Sequence, residues 1–208
     1  METGKFITFE GIEGVGKSTN IAHLTGLLEQ AGKQVLTTRE PGGTPMAERI
    51  RALVAEHGDE PMPDVSELLL VFAARALHVN NVIDPALAAG TWVVCDRFTD
   101  SSRAYQGGGR GLPQEDIDRL AQWVHGDLRP DVTILLDAPV EIGMGRAGRR
   151  GAPDRFEIEQ GEFFNRVRET YLRLAEQEPD RFVVVDATRD LDSVRQDVEA
   201  VAAMLLSQ

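Results

Sequence analysis

The sequence predicts an α/β fold in which a five-stranded parallel sheet is flanked by helices on both faces. Five short runs are rich in β-branched residues and almost continuously apolar, which is typical of strands covered on both faces. They alternate with segments whose apolar residues recur at helical spacing, and this alternation favours parallel strands joined by helical crossovers. The strands are expected at residues 5–10, 34–38, 91–96, 132–137 and 181–186.

The predicted helices fall between these strands. They are expected at residues 18–31, 45–56, 64–89, 114–125, 139–147, 159–178 and 190–206. Gly32, Gly90 and Gly126 stand where three of them should end. Two segments fit neither pattern. Residues 99–113, with three consecutive glycines, are predicted to form a mobile loop, and residues 146–156 are rich in arginine, so both are candidates for closing over a ligand.

Composition restricts the class of protein. A chain of 208 residues is most simply one domain, residues 1–208, with a core of its own. The net charge of −12 disfavours a protein that tracks a nucleic-acid backbone. Cys95 is the only cysteine and lies in an apolar run, so we expect a buried thiol and a cytoplasmic protein. The sequence shows neither an apolar leader nor a membrane-spanning run.

Residues 11–18 are predicted to form a phosphate-binding loop. They read G-I-E-G-V-G-K-S and fit G-x-x-x-x-G-K-[ST], in which backbone N–H groups turn toward the oxygens of a nucleoside triphosphate. The string lies between a predicted strand and a predicted helix, as the motif requires. Lys17 should reach the β- and γ-phosphates, and the Ser18 hydroxyl should bind Mg²⁺. The helix that follows adds its positive N-terminal end.

Charged side chains follow two of the predicted strands. Arg39 comes after the second strand, and Asp96 and Arg97 end the third. The carboxyl ends of parallel strands form the edge where open α/β folds bind ligands, and arginine is suited to grip phosphate there. The aspartate is well placed to hold Mg²⁺. We therefore expect a second phosphate-bearing substrate. Phe72 and Arg75 share a helix face and could stack on its base and bond the base edge.

Longer strings resemble those of a known family. The chain is similar to thymidylate kinase of the bacterial type in F-E-G-I-E-G-V-G-K-S (9–18), T-R-E-P-G-G-T (38–44), D-R-F (96–98), A-Y-Q-G-G-G-R-G (104–111), P-D-V-T-I-L-L-D (130–137) and D-R-F-E (154–157). The resemblance runs from about residue 5 to Asp186. It implies a P-loop NTPase fold of the nucleoside monophosphate kinase type, and the transfer of a phosphoryl group from ATP to dTMP with Mg²⁺, a step in dTTP synthesis.

The resemblance also implies roles for individual residues. The catalytic residues would be Lys17, Asp96, Arg97, Arg149 and Arg150. ATP would be bound by Gly11, Ile12, Glu13, Gly14, Val15, Gly16, Lys17, Ser18, Thr19, Arg146 and Thr188. dTMP would be bound by Glu13, Arg39, Phe72, Arg75, Arg97, Ser101, Tyr105 and Gln106, and Mg²⁺ by Ser18 and Asp96. Phe72 would stack on thymine, Arg75 would bond a thymine carbonyl, and Tyr105 would disfavour a ribose 2′-OH.

Two positions distinguish this chain within the family. Gly14 stands where the form common in eukaryotes has an arginine, while the lid segment, about residues 143–156, carries several arginines. The resemblance therefore implies that a lid arginine places positive charge on the transferring phosphoryl group, with Arg149 and Arg150 both candidates. Phe98 departs from the family pattern, in which many members have Tyr or His.

Three other functions compete with this interpretation. Another nucleoside monophosphate kinase, acting on AMP, CMP, GMP or dUMP, would share the fold and the loop. A GTPase-like switch should carry a guanine-reading N-K-x-D string, which this sequence lacks. A nucleotide-binding structural protein would not need arginines converging from two strand ends. The apolar surface of helix 64–89, together with the resemblance, predicts a homodimer.

Overall fold

The structure, a computed structural model, describes residues 4–56, 60–147, 155, 159 and 161–207. Its five strands form one parallel sheet in the order β2-β3-β1-β4-β5. They are β1 (Phe6–Glu10), β2 (Val35–Arg39), β3 (Trp92–Asp96), β4 (Val132–Asp137) and β5 (Phe182–Asp186). Each strand lies within one residue of the range predicted from the sequence, so the predicted sheet is confirmed.

Helices cover the sheet. They are α1 (Lys17–Gln30), α2 (Pro45–Ala55), α3 (Asp64–His78), α4 (Asp84–Ala88), α5 (Thr99–Ser102), α6 (Gln114–His125), α7 (Val140–Ala147), α8 (Gly161–Gln177) and α9 (Leu191–Leu206). The single helix predicted at 64–89 is instead divided, because a π-helical segment (Val79–Ile83) separates α3 from α4. None of the helices that the structure describes is long and apolar enough to cross a membrane.

The strands are buried on both faces. In β1, Ile7 and Phe9 belong to the larger core cluster, which α1, α8 and α9 complete, whereas Phe6 belongs to a second cluster on the other face. Cys95 joins Phe6 in that second cluster and is fully buried with a free thiol, as the sequence analysis expected. This packing fixes the carboxyl ends of β1, β2 and β3 side by side.

The prediction of a mobile loop over residues 99–113 is wrong. The segment after β3 forms α5 and then a π-helical segment (Arg103–Gly109) that packs against α8. A Cβ atom on Gly108 would collide with Thr170, and one on Gly109 with the ring of Phe163. The glycines therefore permit a close approach to α8 rather than mobility.

Candidate active site

The phosphate-binding loop joins β1 to α1. Gly16 has a φ of 95°, in the left-handed region that favours glycine, and α1 begins at the next residue, Lys17. The Lys17 Nζ atom donates hydrogen bonds to the carbonyl oxygens of Gly11 and Ile12, at 3.1 and 3.0 Å. Burial, and secondly the charge of Arg97, lowers the pKa of Lys17 to about 8. The protonation of the Lys17 ammonium group therefore depends on its burial and on the charge of Arg97.

Ser18 and Asp96 line one open cleft beside this loop. Asp96 ends β3, and its Oδ1 atom is buried without a hydrogen-bond partner among the described residues. A hydroxyl and a carboxylate oxygen of this kind fit the few protein ligands that Mg²⁺ takes beside nucleotide phosphates. Within the described ranges, no group of three or more His, Cys, Asp or Glu side chains is placed to bind a metal. Two such ligands would leave the other coordination positions of a bound Mg²⁺ ion to phosphate and water oxygens.

Arg97 lies at the centre of the site. Its φ of 71° is a strained conformation for a residue that carries a Cβ atom. The NH2 group donates to Glu13 and to the Tyr105 hydroxyl, each at 3.0 Å. The NH1 group donates to the hydroxyl oxygens of Ser101 and Tyr171, each at 3.2 Å. Protein groups alone therefore hold the guanidinium between the phosphate-binding loop and the segment after β3.

A pocket lies next to Arg97. Its lining includes six of the eight residues that the resemblance assigned to dTMP, so the fold brings these six together although they are spread over 94 positions of the chain from 13 to 106. They are Glu13, Arg75, Arg97, Ser101, Tyr105 and Gln106.

The other two residues assigned to dTMP, Phe72 and Arg39, do not line this pocket. Phe72 is 2% exposed, and the Arg75 guanidinium lies 4.5 Å from the centre of its ring, while Val71 faces the pocket. Arg39 is half-exposed, pairs with Glu48 at 2.9 Å, and lines the cleft that contains Ser18 and Asp96. Their roles in dTMP binding stay predictions.

Arg75 is buried, lines the pocket and uses two of its three nitrogens in hydrogen bonds to protein groups. Its Nε donates to Glu40 at 2.6 Å, and its NH2 donates to the Phe98 carbonyl at 3.1 Å and to Ser102 at 3.0 Å. Its NH1 is buried and has no hydrogen-bond partner in the described part of the chain. Burial alone would raise the pKa of Glu40, but Arg75, and then His78, outweigh burial and lower it. An ion-paired arginine thus retains one donor for a ligand.

Arg51 and Phe98 also line the pocket. The sequence analysis missed Arg51, whose only signal is its place on the helix after the T-R-E-P-G-G-T string; its NH1 donates to the Pro41 carbonyl at 3.0 Å. Phe98, the departure from the family pattern, is 1% exposed and meets Phe6 edge-on with ring centres 4.9 Å apart. At position 98 this chain has a core aromatic side chain that anchors the backbone beside Arg97.

The remaining ATP-side assignments meet at the end of β5. Arg146 on α7 donates to the carbonyl oxygen of Ala187 at 3.0 Å. Thr188, the next residue, is exposed, and its hydroxyl donates to Asp186 at 2.6 Å. The structure therefore brings Arg146 to the Thr188 loop. The two candidate catalytic lid arginines, Arg149 and Arg150, lie outside the described residues.

Glu10, at the end of β1, is a functional candidate that the sequence analysis missed. Its Oε2 atom accepts hydrogen bonds from Ser101 at 2.6 Å and from Tyr171 at 2.8 Å, the same hydroxyls that contact Arg97. Burial, and secondly the Asp100 carboxylate, raises the pKa of Glu10 from 4.5 to about 7, against the effect of Arg97. A charged residue directly before the phosphate-binding loop was the only signal in the sequence.

The pKa of Glu10 predicts a pH-dependent stability difference between the unmodified chain and Glu10→Gln. Glu10 is protonated in the folded state up to about pH 7 but loses its proton near 4.5 when unfolded. Its contribution to the free energy of unfolding is therefore fully present below pH 4.5 and is lost as pH rises through about 7, a change of about 3 kcal/mol.

Urea unfolding of both proteins from pH 4.5 to 8 measures this difference. Glu115→Gln, which neutralises an exposed carboxylate on α6, is the matched control and should keep the pH dependence of the unmodified chain. A difference between the unmodified chain and Glu10→Gln that stays constant with pH would contradict the prediction.

Comparison with known proteins places this site in context. A sequence model of the family described as thymidylate kinase matches residues 9–198. The thymidylate kinases of Ectopseudomonas mendocina (strain ymp) and Pseudomonas syringae pv. tomato are 55% and 57% identical to this chain, each over 98% of it and 97% of the relative. The crystal structure of thymidylate kinase from Ehrlichia chaffeensis superposes with a TM-score of 0.78 at 34% identity, covering 98% of this chain and 99% of that one.

Proposed function

We propose that this chain, which belongs to the thymidylate kinase family and phosphorylates dTMP to dTDP, performs this transfer in the cleft around Arg97. The proposed phosphoryl donor is MgATP. The observation that carries the proposal is the position of Arg97 between two subsites. Its NH2 group contacts both Glu13 of the phosphate-binding loop and Tyr105 of the pocket, each at 3.0 Å, so the guanidinium lies where the loop meets the pocket. A cation there faces both the donor and the acceptor phosphate.

The donor half of the site is built on the start of α1. The backbone N–H groups of the phosphate-binding loop surround the β-phosphate, and Lys17 exchanges its bonds to Gly11 and Ile12 for phosphate oxygens. Ser18 and Asp96 would hold Mg²⁺, which neutralises charge on the β- and γ-phosphates. Thr19 extends the loop, and the Thr188 segment, which Arg146 contacts at the Ala187 carbonyl oxygen, would lie beside adenine.

The acceptor half is the pocket beside Arg97. Arg97 and Arg39 bind the dTMP phosphate, and Arg51 adds a third guanidinium at the pocket wall. Arg75 donates its unpaired NH1 to a carbonyl oxygen of thymine, and Gln106 bonds the base edge. The Tyr105 hydroxyl, held on the Glu13 carboxylate at 2.8 Å, would lie against the sugar and disfavour a ribose 2′-OH. Phe72 supports Arg75 through its ring face.

Phosphoryl transfer in this arrangement depends on position and charge. A dTMP phosphate oxygen attacks the γ-phosphorus in line, and the bond from that phosphorus to the β,γ-bridging oxygen breaks to release ADP. Lys17, Arg97 and a lid arginine, Arg149 or Arg150, neutralise the equatorial oxygens. Closure of the lid excludes water, which prevents wasteful hydrolysis of ATP. No side chain needs to form a covalent intermediate.

The acceptor specificity tests this proposal. ADP release from MgATP is measured with dTMP, dUMP, AMP, dCMP, GMP or no acceptor. Strong turnover with dTMP and little with AMP, GMP or dCMP is expected, because Tyr105 disfavours the ribose of the first two and the contacts of Arg75 and Gln106 do not match the edge of cytosine. Preferential turnover with a purine monophosphate, or hydrolysis that is independent of any acceptor, would contradict it.

We also propose that two copies of the chain form a homodimer through α3, in the cytoplasm. Leu69 on α3 is 52% exposed, and exposed apolar residues lie on the two helices that pack beside it, Leu53 on α2 and Trp123 on α6. Exposed apolar side chains of this size on helices that pack together are typical of an interaction surface. The free thiol of Cys95 fits a reducing compartment.

Leu69→Glu is expected to weaken the dimer by about a hundredfold, because each interface would bury unpaired carboxylates. Sedimentation velocity over a range of protein concentrations measures the change. Met204→Glu, at an exposed apolar position on α9, is the control and should leave association unchanged. A monomeric unmodified chain, or a Leu69→Glu variant that remains dimeric, would contradict the proposed interface.

A further inference from the structure

Glu67 is a fully buried carboxylate behind the base end of the pocket. It lies on α3, one and two helical turns before Val71 and Arg75, which both line the pocket. Residues at this spacing share one helix face. Glu67 is 0% exposed and has no part in the phosphate contacts proposed above. A buried carboxylate is costly unless it is paired, so its partners reveal what it does.

Three side chains donate to Glu67. The Gln106 Nε2 atom lies 2.8 Å from Glu67 Oε1. Arg110 contacts Oε2 through Nε at 3.2 Å and through NH2 at 3.1 Å, and Arg155 also donates to Oε2. Guanidinium groups have donors but no acceptors, so both arginines require that Glu67 accept. Glu67 therefore accepts in each of these contacts, and the nitrogen of Gln106, not its oxygen, faces the carboxyl group.

The carboxylate consequently determines how the amide of Gln106 is turned. An amide presents NH₂ donors on one side and a carbonyl acceptor on the other. With its nitrogen on Glu67, Gln106 turns its carbonyl oxygen away from Glu67, which leaves this acceptor for the pocket that Gln106 lines. Arg75, on the same pocket wall, has its NH1 donor available. The base end of the pocket therefore combines one acceptor with one donor.

We propose that Glu67 is a positioning residue that selects the base by fixing the orientation of the Gln106 amide. Thymine and uracil carry an N3–H donor beside the O4 acceptor, which complement the Gln106 carbonyl and the Arg75 NH1. Cytosine carries an N3 acceptor beside a 4-amino donor, so both contacts become mismatched. The inference rests on the proposed binding of dTMP in this pocket, and it assigns the rejection of cytosine to a residue that does not touch the nucleotide.

The test is the ratio of kcat/KM for dTMP to kcat/KM for dCMP. Glu67→Gln keeps the size of the side chain but can donate as well as accept, so the Gln106 amide is free to turn over. The ratio is expected to fall by about 10- to 100-fold, because a site that no longer enforces its donor and acceptor pattern rejects the mismatched base less. A purely structural role would lower both activities together and leave the ratio intact.

A double-mutant cycle shows whether Glu67 acts through Gln106. In a Gln106→Ala background, Glu67→Gln should cause no further change in the ratio. Arg155→Ala, which removes an ion pair from Glu67 but keeps its bond to Gln106, is the control and should also leave the ratio unchanged. An unchanged ratio in Glu67→Gln, or an equal fall in the Gln106→Ala background, would overturn the inference.

The unmodified chain supplies a second measurement if Glu67→Gln does not fold. 3-Methyl-dTMP lacks the N3–H, so its kcat/KM should be about a hundredfold below that of dTMP. Equal values would overturn the inference while leaving thymidylate kinase activity in place. If the unmodified chain does not phosphorylate dTMP at all, the proposed function itself fails.

Discussion

Arg97→Ala is expected to lower kcat/KM for dTMP by about 10³-fold, close to the effect of removing an arginine from other phosphoryl-transfer sites. The substitution removes a guanidinium that protein contacts already hold in place, at 3.0 to 3.2 Å from four side chains. It also leaves the Glu13 carboxylate without its ion pair, so that Glu13 then repels the incoming phosphate. Initial rates at varied dTMP and saturating MgATP measure the loss.

Two further variants show whether the loss in Arg97→Ala comes from the charge of the guanidinium, from its forked geometry, or from the removal of any arginine. Arg97→Lys keeps the charge but not the forked geometry, and should recover only part of the activity. Arg119→Ala, on the exposed face of α6, is the matched control and should keep full activity, because its side chain is 74% exposed and does not line the pocket. An Arg97→Ala variant within tenfold of the unmodified chain would remove Arg97 from the centre of the site.

Lys17→Ala is expected to lower kcat by about 10²- to 10³-fold, because a preorganised cation at the β- and γ-phosphates is lost. The pKa of Lys17, about 8, adds a pH dependence. Above that pH the lysine of the free enzyme is neutral, so kcat/KM for ATP should decline on the alkaline side. Arg97→Ala should move this decline to higher pH, because the charge of Arg97 contributes to the lowered pKa.

Lys33→Ala, just after the other end of α1, is the matched control for Lys17→Ala. Its Nζ lies 5.2 Å from the Trp92 ring centre, so its loss should leave kcat and the pH profile unchanged. Turnover in Lys17→Ala comparable to that of the unmodified chain would mean that the loop binds no triphosphate in the active complex.

The sequence predicted the parts of the site that follow from strand ends. Arg39 and Asp96 end neighbouring parallel strands and Arg97 directly follows Asp96, so topology alone forces all three to one edge of the sheet. The phosphate-binding loop was equally predictable, because its glycines and lysine are a local string that needs only a strand before it and a helix after it. Both predictions rest on geometry that short stretches of sequence determine.

The buried polar partners could not be predicted in the same way. Tyr171 meets Glu10 across 161 positions, and Gln106 meets Glu67 across 39, so neither pair leaves a local pattern. The glycine run at 107–109 misled the sequence analysis, because glycine permits both flexibility and close packing, and only the position of α8 decides between them. The choice between Val71 and Phe72 as the pocket residue likewise depends on how α3 is rotated in the core.

A crystal structure with dTMP and a non-hydrolysable ATP analogue tests the central claim most directly. We predict the triphosphate on the loop before α1, the dTMP phosphate on Arg97, and the thymine against Arg75 and Gln106, with its N3–H facing the Gln106 carbonyl oxygen. A dTMP molecule bound away from Arg97, or a thymine that contacts neither Arg75 nor Gln106, would contradict the assignment of this pocket as the acceptor site.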